Sequence, residues 1–476
     1  MIHEECGVIG IYSPKEKSDI AWSTYYGLFA LQHRGQQSCG IAVNDDGLIN
    51  SYKDVGLVND VFNKDNLAKL GGGKIAIGHA RYCAIGTVTR NDAQPLVIRH
   101  VKGQLAITHN GALTNAAELR RKLELKGAIF HSNNDAEIIA NIIIQERVKT
   151  DTIEEALEKA MKKIQGAYSL VIMSSDKLIA VRDRTGFRPL VMGETKDGQI
   201  IFASETCALD TLGAKYIRDI DAGEIVIVDD NGIRSIHTVK NSKPHICIFE
   251  YVYFARPDSY LEGISVHEAR VKAGRILAKE KPVDADVVIG VPDSGIDAAI
   301  GYAQESQIPY AIGFIKNRYI ARTFIQPTQT QRANAVKMKL NVVKAVVKGK
   351  RVIMVDDSIV RGTTTTRIVK LLRDAGAKEV HVRLSSPPFI SPCYYGTDID
   401  SKEYLIACQM SLEEECKFIG ADSVGYMSLE GVKQIAKGAK CQFCVGCFSE
   451  KYPAPIPKII GKSKFDSKRE KKAEKG

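Results

Sequence analysis

Short apolar runs between polar turns dominate the first half of the chain, and residues 7–12, 74–79, 104–109, 168–174, 178–182 and 200–203 read as strands. Helically spaced stretches interrupt them at 22–32, 135–146 and 153–164. Strands and helices grouped in blocks predict an α+β unit of packed sheets. Near Ser265 the pattern changes. A helix over 265–279, strands over 287–291, 308–313 and 351–355, and helices over 295–304 and 363–375 alternate, as in a parallel α/β sheet with crossover helices. The polar stretch 237–244 is the expected boundary, dividing the chain into 6–240, 241–430 and a cysteine-bearing wrap over 431–476.

At 476 residues the chain can hold two or three cores. With 44% hydrophobic and 26% charged residues it is neither disordered nor fibrous. No apolar run approaches the roughly 18 residues of a membrane span. The start, Met1-Ile2-His3-Glu4-Glu5-Cys6, lacks the basic and apolar regions of a secretory signal, so a cytoplasmic protein with no membrane partner is expected. The net charge of +10 suggests nucleic acid until its position is considered. Residues 458–476 hold eight Lys/Arg and three Asp/Glu, half of the excess, in what reads as a solvated tail. No nucleic-acid partner is expected. Eleven cysteines in so long a chain point to catalysis, metal binding or burial, and away from a disulfide scaffold.

Cys6 immediately precedes the first apolar run. Burial statistics alone would make it a strand-end thiol. Its company argues otherwise: His33-Arg34-Gly35-Gln36, Gly78-His79-Ala80-Arg81-Tyr82, His109-Asn110-Gly111 and Ser132-Asn133-Asn134-Asp135-Ala136-Glu137 follow in order. This set resembles the N-terminal-nucleophile (class II) glutamine amidotransferases, which implies an αββα glutaminase sandwich. A thiolate suits attack on the carboxamide of glutamine near pH 7. With no Cys–His pair at a recognisable spacing, the α-amine of the cysteine, titrating at about 7.7–8.0, can act as base. The resemblance then implies that residues 1–5 are a propeptide. It also implies Arg81 for the α-carboxylate of glutamine, Asp135 for its ammonium, and Asn110 with Gly111 as oxyanion donors. An Asn-Gly pair is otherwise a common hairpin turn, and a turn could aim those N–H groups. Ala84, where the family usually has Thr, and Gln37-Ser38-Cys39, where it has Glu-Ser-Ala, depart from its usage.

The stretch from Arg351 to Thr364 carries the strongest signal. An apolar strand delivers Asp356 and Asp357, and a loop with Ser358, Arg361 and Gly362 opens a helix at Thr363 and Thr364. Backbone N–H groups at a helix start cradle phosphate, and paired carboxylates suit ribose hydroxyls and a hard cation. The stretch is similar to the 5-phosphoribosyl-1-pyrophosphate (PRPP) signature of type I phosphoribosyltransferases, implying a doubly wound domain. It implies PRPP contacts from Asp356, Asp357, Ser358, Arg361, Gly362, Thr363 and Thr364, and one Mg²⁺ per subunit at Ser294, Asp356 and Asp357. Ser294 lies in a second strand–loop–helix, Val291-Pro292-Asp293-Ser294-Gly295, and the polar, basic residues 322–341 have the make-up of a lid.

A glutaminase half joined to a PRPP half resembles the amidophosphoribosyltransferase family. That resemblance implies conversion of PRPP, glutamine and water to 5-phosphoribosylamine, glutamate and pyrophosphate, with ammonia passed between two sites. It also implies a homotetramer inhibited by purine nucleotides. Cys444 and Cys447 resemble the tail of the iron–sulfur branch; with Cys247 and Cys393 they would hold one 4Fe–4S cluster per subunit. Zinc would accept the same four ligands, and Cys441 could replace Cys444 or be spare. The rival reading is a PRPP-sensing transcription regulator, for which the Cys6 set would be useless.

Overall fold

The computed structural model describes residues 6–15, 18–82, 89–239, 244–317, 340–399 and 401–457. The expected propeptide, Ala84, lid residues 322–339 and the basic tail lie outside them.

Two antiparallel sheets form the first unit. One has seven strands in the order Lys215–Asp219, Val191–Glu194, Ile200–Ala203, Gly7–Tyr12, Ile75–Arg81, Ser38–Asp45, Leu48–Val55. The other has six, in the order Gly232–His237, Glu224–Asp229, Leu178–Arg182, Gly166–Met173, Gly103–Leu113, Leu96–His100. Period-two alternation sorts their side chains. Val8, Ile77, Ala106, Val171 and Val226 fill the space between the sheets. Ile9, Ile11 and Ala76 pack outward on helix Ile20–Ala30. On the far side Ile107, Leu170 and Ile225 meet helices Asp135–Arg147 and Ile153–Met161. Four layers result, αββα.

Asn110-Gly111 is no hairpin turn, because strand Gly103–Leu113 runs straight through it, with Asn110 opposite Ser169 and Gly111 opposite Tyr168. A full-length partner strand outweighs the local preference of the dipeptide. Gly111 is needed for contact instead: at φ 135° a Cβ there would stand 2.2 Å from the Ala167 carbonyl oxygen.

The second unit is a parallel sheet in the order Val287–Gly290, Arg351–Asp356, Glu379–Leu384, Ser423–Tyr426, extended beyond its first strand by a parallel bridge from Val288 to Tyr310. The expected strand over 308–313 is reduced to that bridge. Helices Val266–Glu280 and Gly295–Ser306 cover one face, and Thr363–Asp374 and Leu412–Ile419 pack on the other. Strand order reverses between Val287–Gly290 and Arg351–Asp356, and ligands of doubly wound sheets bind at such a switch point. Strand His245–Cys247 pairs in parallel with Gln442–Cys444, which ties the C-terminal wrap to the start of this unit.

Buried charge joins the units. Arg34 donates to Glu205 at 2.6 Å and, with both terminal nitrogens, to Glu250 at 2.9 Å. Arg188 reaches Glu250 at 3.4 Å. All four side chains are fully buried. Glu250 begins the π-helical turn Glu250–Phe254, after the first unit has ended. Removing one partner from such a group strands buried charge. Glu250→Ala should therefore cost about 3–5 kcal/mol of stability, read as a lower midpoint of denaturant unfolding.

Candidate active sites and their shared wall

Alternation along three strands brings the first site together. Cys6 has the parity of Val8, Arg81 that of Ile77, and Asn110 that of Ala106, so all three point into the gap between the sheets at one end. The Cys6 Sγ–H donates to the Tyr82 carbonyl at 3.5 Å, and Arg34 Nε donates to the Cys6 carbonyl at 3.2 Å. Asn110 is wholly buried, and neither atom of its side-chain amide has a partner among the described residues. The same holds for Arg81 Nε.

Asp135 opens its helix behind Asn134, whose side chain caps it by accepting from the Ala136 N–H at 3.0 Å. The Asp135 carboxylate accepts from the Leu113 N–H at 2.8 Å, two residues beyond Gly111. Burial pushes its pKa up to about 6, with Leu113 N–H, Arg81 and Arg120 restraining the rise. The two motif histidines are poor bases. Burial, reinforced by Arg81, lowers His79 to about 3, and burial lowers His109 to about 4 although it faces the Ala167 carbonyl.

The second site sits at the switch point. Ser294 donates to Asp357 at 2.6 Å, Ser358 donates to its other oxygen at 2.5 Å, and the Asp357 N–H donates to Asp356 at 2.9 Å. Burial, then the Asp357 charge, pushes the Asp356 carboxyl well above its usual range. A carboxylate pair so strained by mutual repulsion fits a divalent cation. Gly362, at φ 76°, precedes helix Thr363–Asp374, whose open N–H end faces the loop. Around these residues lies a cavity of about 480 Å³ lined by Asp293, Ser294, Asp356–Ser358 and Arg361–Thr364. Its opposite wall comes from the first unit: Gln32, His33, Gln36 and Leu57.

That wall escaped sequence reasoning. The His33-Arg34-Gly35-Gln36 motif belongs to both sites at once, because Arg34 touches Cys6 while its neighbours His33 and Gln36 face the phosphate loop. Glu205, which accepts from His33 at 2.8 Å, from Arg34 and from Ser259, had no motif to mark it. Burial alone would raise its pKa, but His33 and Arg34 hold it far below the carboxylate range.

Cys247 stands opposite Cys444 in the parallel pairing. Burial raises the Cys447 thiol, and the nearby Cys393, Cys247 and Cys444 raise it further. Cys441 is apart, next to Glu262 and Arg182. Among the described residues no three such side chains converge on a single point.

Two family models match in sequence, a glutamine amidotransferase domain over 79–211 and a phosphoribosyl transferase domain over 262–385. The amidophosphoribosyltransferase of Methanocaldococcus jannaschii is 50% identical over 474 residues, covering 96% of this chain and 100% of that one. That of Bacillus subtilis is 47% identical over 460 residues, 96% and 95% of the two chains. Among solved structures, one described as the allosteric regulatory enzyme of purine biosynthesis has TM-score 0.89 and 46% identity, over 95% of this chain and 97% of the other. The glutamine PRPP amidotransferase from B. subtilis complexed with ADP and GMP has TM-score 0.87 and 46% identity, over 95% and 98%. With both catalytic halves present in one chain and similarity running through its whole described length, the chain belongs to the amidophosphoribosyltransferases, enzymes that make 5-phosphoribosylamine from glutamine and PRPP.

Proposed function

We propose that removal of residues 1–5 frees the α-amine of Cys6, which takes the thiol proton as Cys6 Sγ attacks the side-chain carbonyl of glutamine. The oxyanion of the tetrahedral intermediate accepts from the Asn110 side chain and the Gly111 N–H, and the amine returns its proton to the departing ammonia. Water then hydrolyses the thioester. Arg81 holds the α-carboxylate and Asp135 the ammonium. The observation that carries this reading is the buried Asn110 amide. A polar group left without partners costs about 1–3 kcal/mol, a loss that a substrate oxyanion recovers. The low pKa values of His79 and His109 support the amine as base.

Ammonia has a short way to go. Its acceptor, PRPP, lies in the cavity with its phosphate on the N–H groups of Arg361–Thr364 and its ribose hydroxyls on Asp356 and Asp357. Mg²⁺ held by Ser294, Asp356 and Asp357 would supply positive charge to the pyrophosphate leaving group. Ammonia forms its bond to the ribose carbon as the pyrophosphate oxygen departs with the electron pair. Ammonia handed over across the shared wall at His33, Arg34 and Gln36 would be kept from bulk water, which favours transfer over loss.

One 4Fe–4S cluster per subunit on Cys247, Cys393, Cys444 and Cys447 has a structural role in this reading, since the reaction moves no electrons. Homotetramer formation, inhibition by purine nucleotides of the kind bound in the B. subtilis relative, and residence in the cytoplasm complete the proposal. Among the described residues no helix is long and apolar enough to cross a membrane. Nothing in them favours the transcription regulator.

Processing has a direct readout: the intact mass of glutaminase-active protein should lack residues 1–5, and activity in the unprocessed chain would remove the amine from the mechanism. The pH profile tests Asp135. The Cys6 amine alone gives log kcat/KM for glutamine a slope of about one below pH 7.7. Protonation of Asp135 below about pH 6 removes the ammonium anchor and should steepen that slope to about two. In Asp135→Asn the second bend should disappear. For the cluster, Cys441→Ser made without oxygen should keep about four irons per chain, whereas Cys444→Ser or Cys447→Ser should lose them.

A further inference from the structure

We propose that residues 395–397, which belong to the transferase half, are positioning residues for the oxyanion hole of the glutaminase. This inference rests on the reading of Gly111 as an oxyanion donor. The Gly111 peptide is held between two backbones. On one side is its strand partner, so close that a Cβ on Gly111 would meet the Ala167 carbonyl oxygen at 2.2 Å. On the other is Gly396, at φ 113°, where a Cβ would stand 3.2 Å from the Gly111 carbonyl carbon and 3.3 Å from its Cα.

Three restraints fix residues 395–397 in that place. Arg188 Nη2 donates to the Tyr395 carbonyl at 2.7 Å and to the Thr397 hydroxyl oxygen at 3.3 Å. The Tyr395 ring stacks on Phe187, with centroids 4.0 Å apart and planes at 21°. The Tyr395 hydroxyl donates to the Ala454 carbonyl at 2.6 Å. Arg188, Tyr395 and Thr397 are all buried, so the two bonds from Arg188 do not compete with water. The transferase half therefore supplies the outer wall of a site whose reacting groups all belong to the glutaminase half. An oxyanion donor works only within about 0.5 Å and 10–20° of its productive direction. A side chain at position 396, itself strained at φ 113°, would crowd both the Gly111 peptide and Arg188 Nη2, which it would meet at 3.3 Å, so the contact between residues 395–397 and the Gly111 peptide must open by a few tenths of an ångström.

The test uses full-length, cluster-loaded Gly396→Ala, with Thr397→Val as the milder variant that takes the Thr397 hydroxyl away from Arg188. Glutaminase kcat in Gly396→Ala should fall roughly tenfold to a hundredfold, with KM for glutamine changed by less than about threefold, because Arg81 and Asp135 lie on other elements. Thr397→Val should lower kcat by about twofold to tenfold. Alkylation of Cys6 by iodoacetamide, a displacement at carbon that creates no oxyanion, should keep its rate, and ammonia-dependent phosphoribosylamine synthesis should persist as the measure of folding. An unchanged kcat in folded Gly396→Ala overturns the proposal. So does a parallel fall in kcat and iodoacetamide reactivity, which would mean a displaced Cys6. If Gly396→Ala does not fold, Thr397→Val decides on the same criteria. Asn110→Ala separates the layers: wild-type kcat there would refute the oxyanion assignment itself, whereas a large loss there beside a normal Gly396→Ala refutes only the role of residues 395–397.

Discussion

The Arg34 guanidinium bonds Glu205, Glu250 and the carbonyl of Cys6 from a position with no access to water. Glu250 also meets Arg188, so the two buried arginines and two buried carboxylates balance only when both units are in place. Buried ions without partners cost several kcal/mol each. The penalty makes the relative placement of the two halves a condition of folding, and both active sites inherit it. Cys6 is fixed through its own carbonyl, and the cavity wall at His33 and Gln36 is fixed through the residue between them.

Environment then sorts similar groups into different tasks. Glu205, met by cations, stays ionised and structural. Asp135 is pushed toward neutrality and can respond to the arrival of an ammonium group. Asp356 is pushed further by burial and by Asp357, and waits for positive charge. The histidines that a motif search would favour as bases are neutral and weakly basic in the sheet interior.

Much of this was legible in the sequence because its cause is local. Strand Gly7–Tyr12 and helix Thr363–Asp374 follow from apolar spacing and loop chemistry over a few residues. Asp356 and Asp357 lie next to each other in the chain, so their joint role needs no fold. Strands Ser38–Asp45 and Glu224–Asp229 were missed, as were most edge strands, although each of the two forms a tight hairpin with the strand that follows it, across Asp46-Gly47 and Asp230-Asn231. The Asn110-Gly111 dipeptide alone is compatible with a turn, because only pairing with the distant Gly166–Met173 makes it a strand. Glu250 and residues 395–397 carry no signal at all, since their importance arises from what the other half of the chain brings against them.

The pairing of His245–Cys247 with Gln442–Cys444 has a consequence for the order of events at the ribosome. Closing a loop of roughly 200 residues costs about 4–5 kcal/mol of chain entropy, which the intervening parallel sheet must offset before the ends can meet. The strand that starts the transferase unit thus waits, unpaired on that edge, until almost the whole chain has been synthesised. The four clustered thiols are likewise divided between early and late segments. The wrap closes late: a chain that stops short of Gln442 lacks two of the four thiols and the strand that pairs with His245–Cys247.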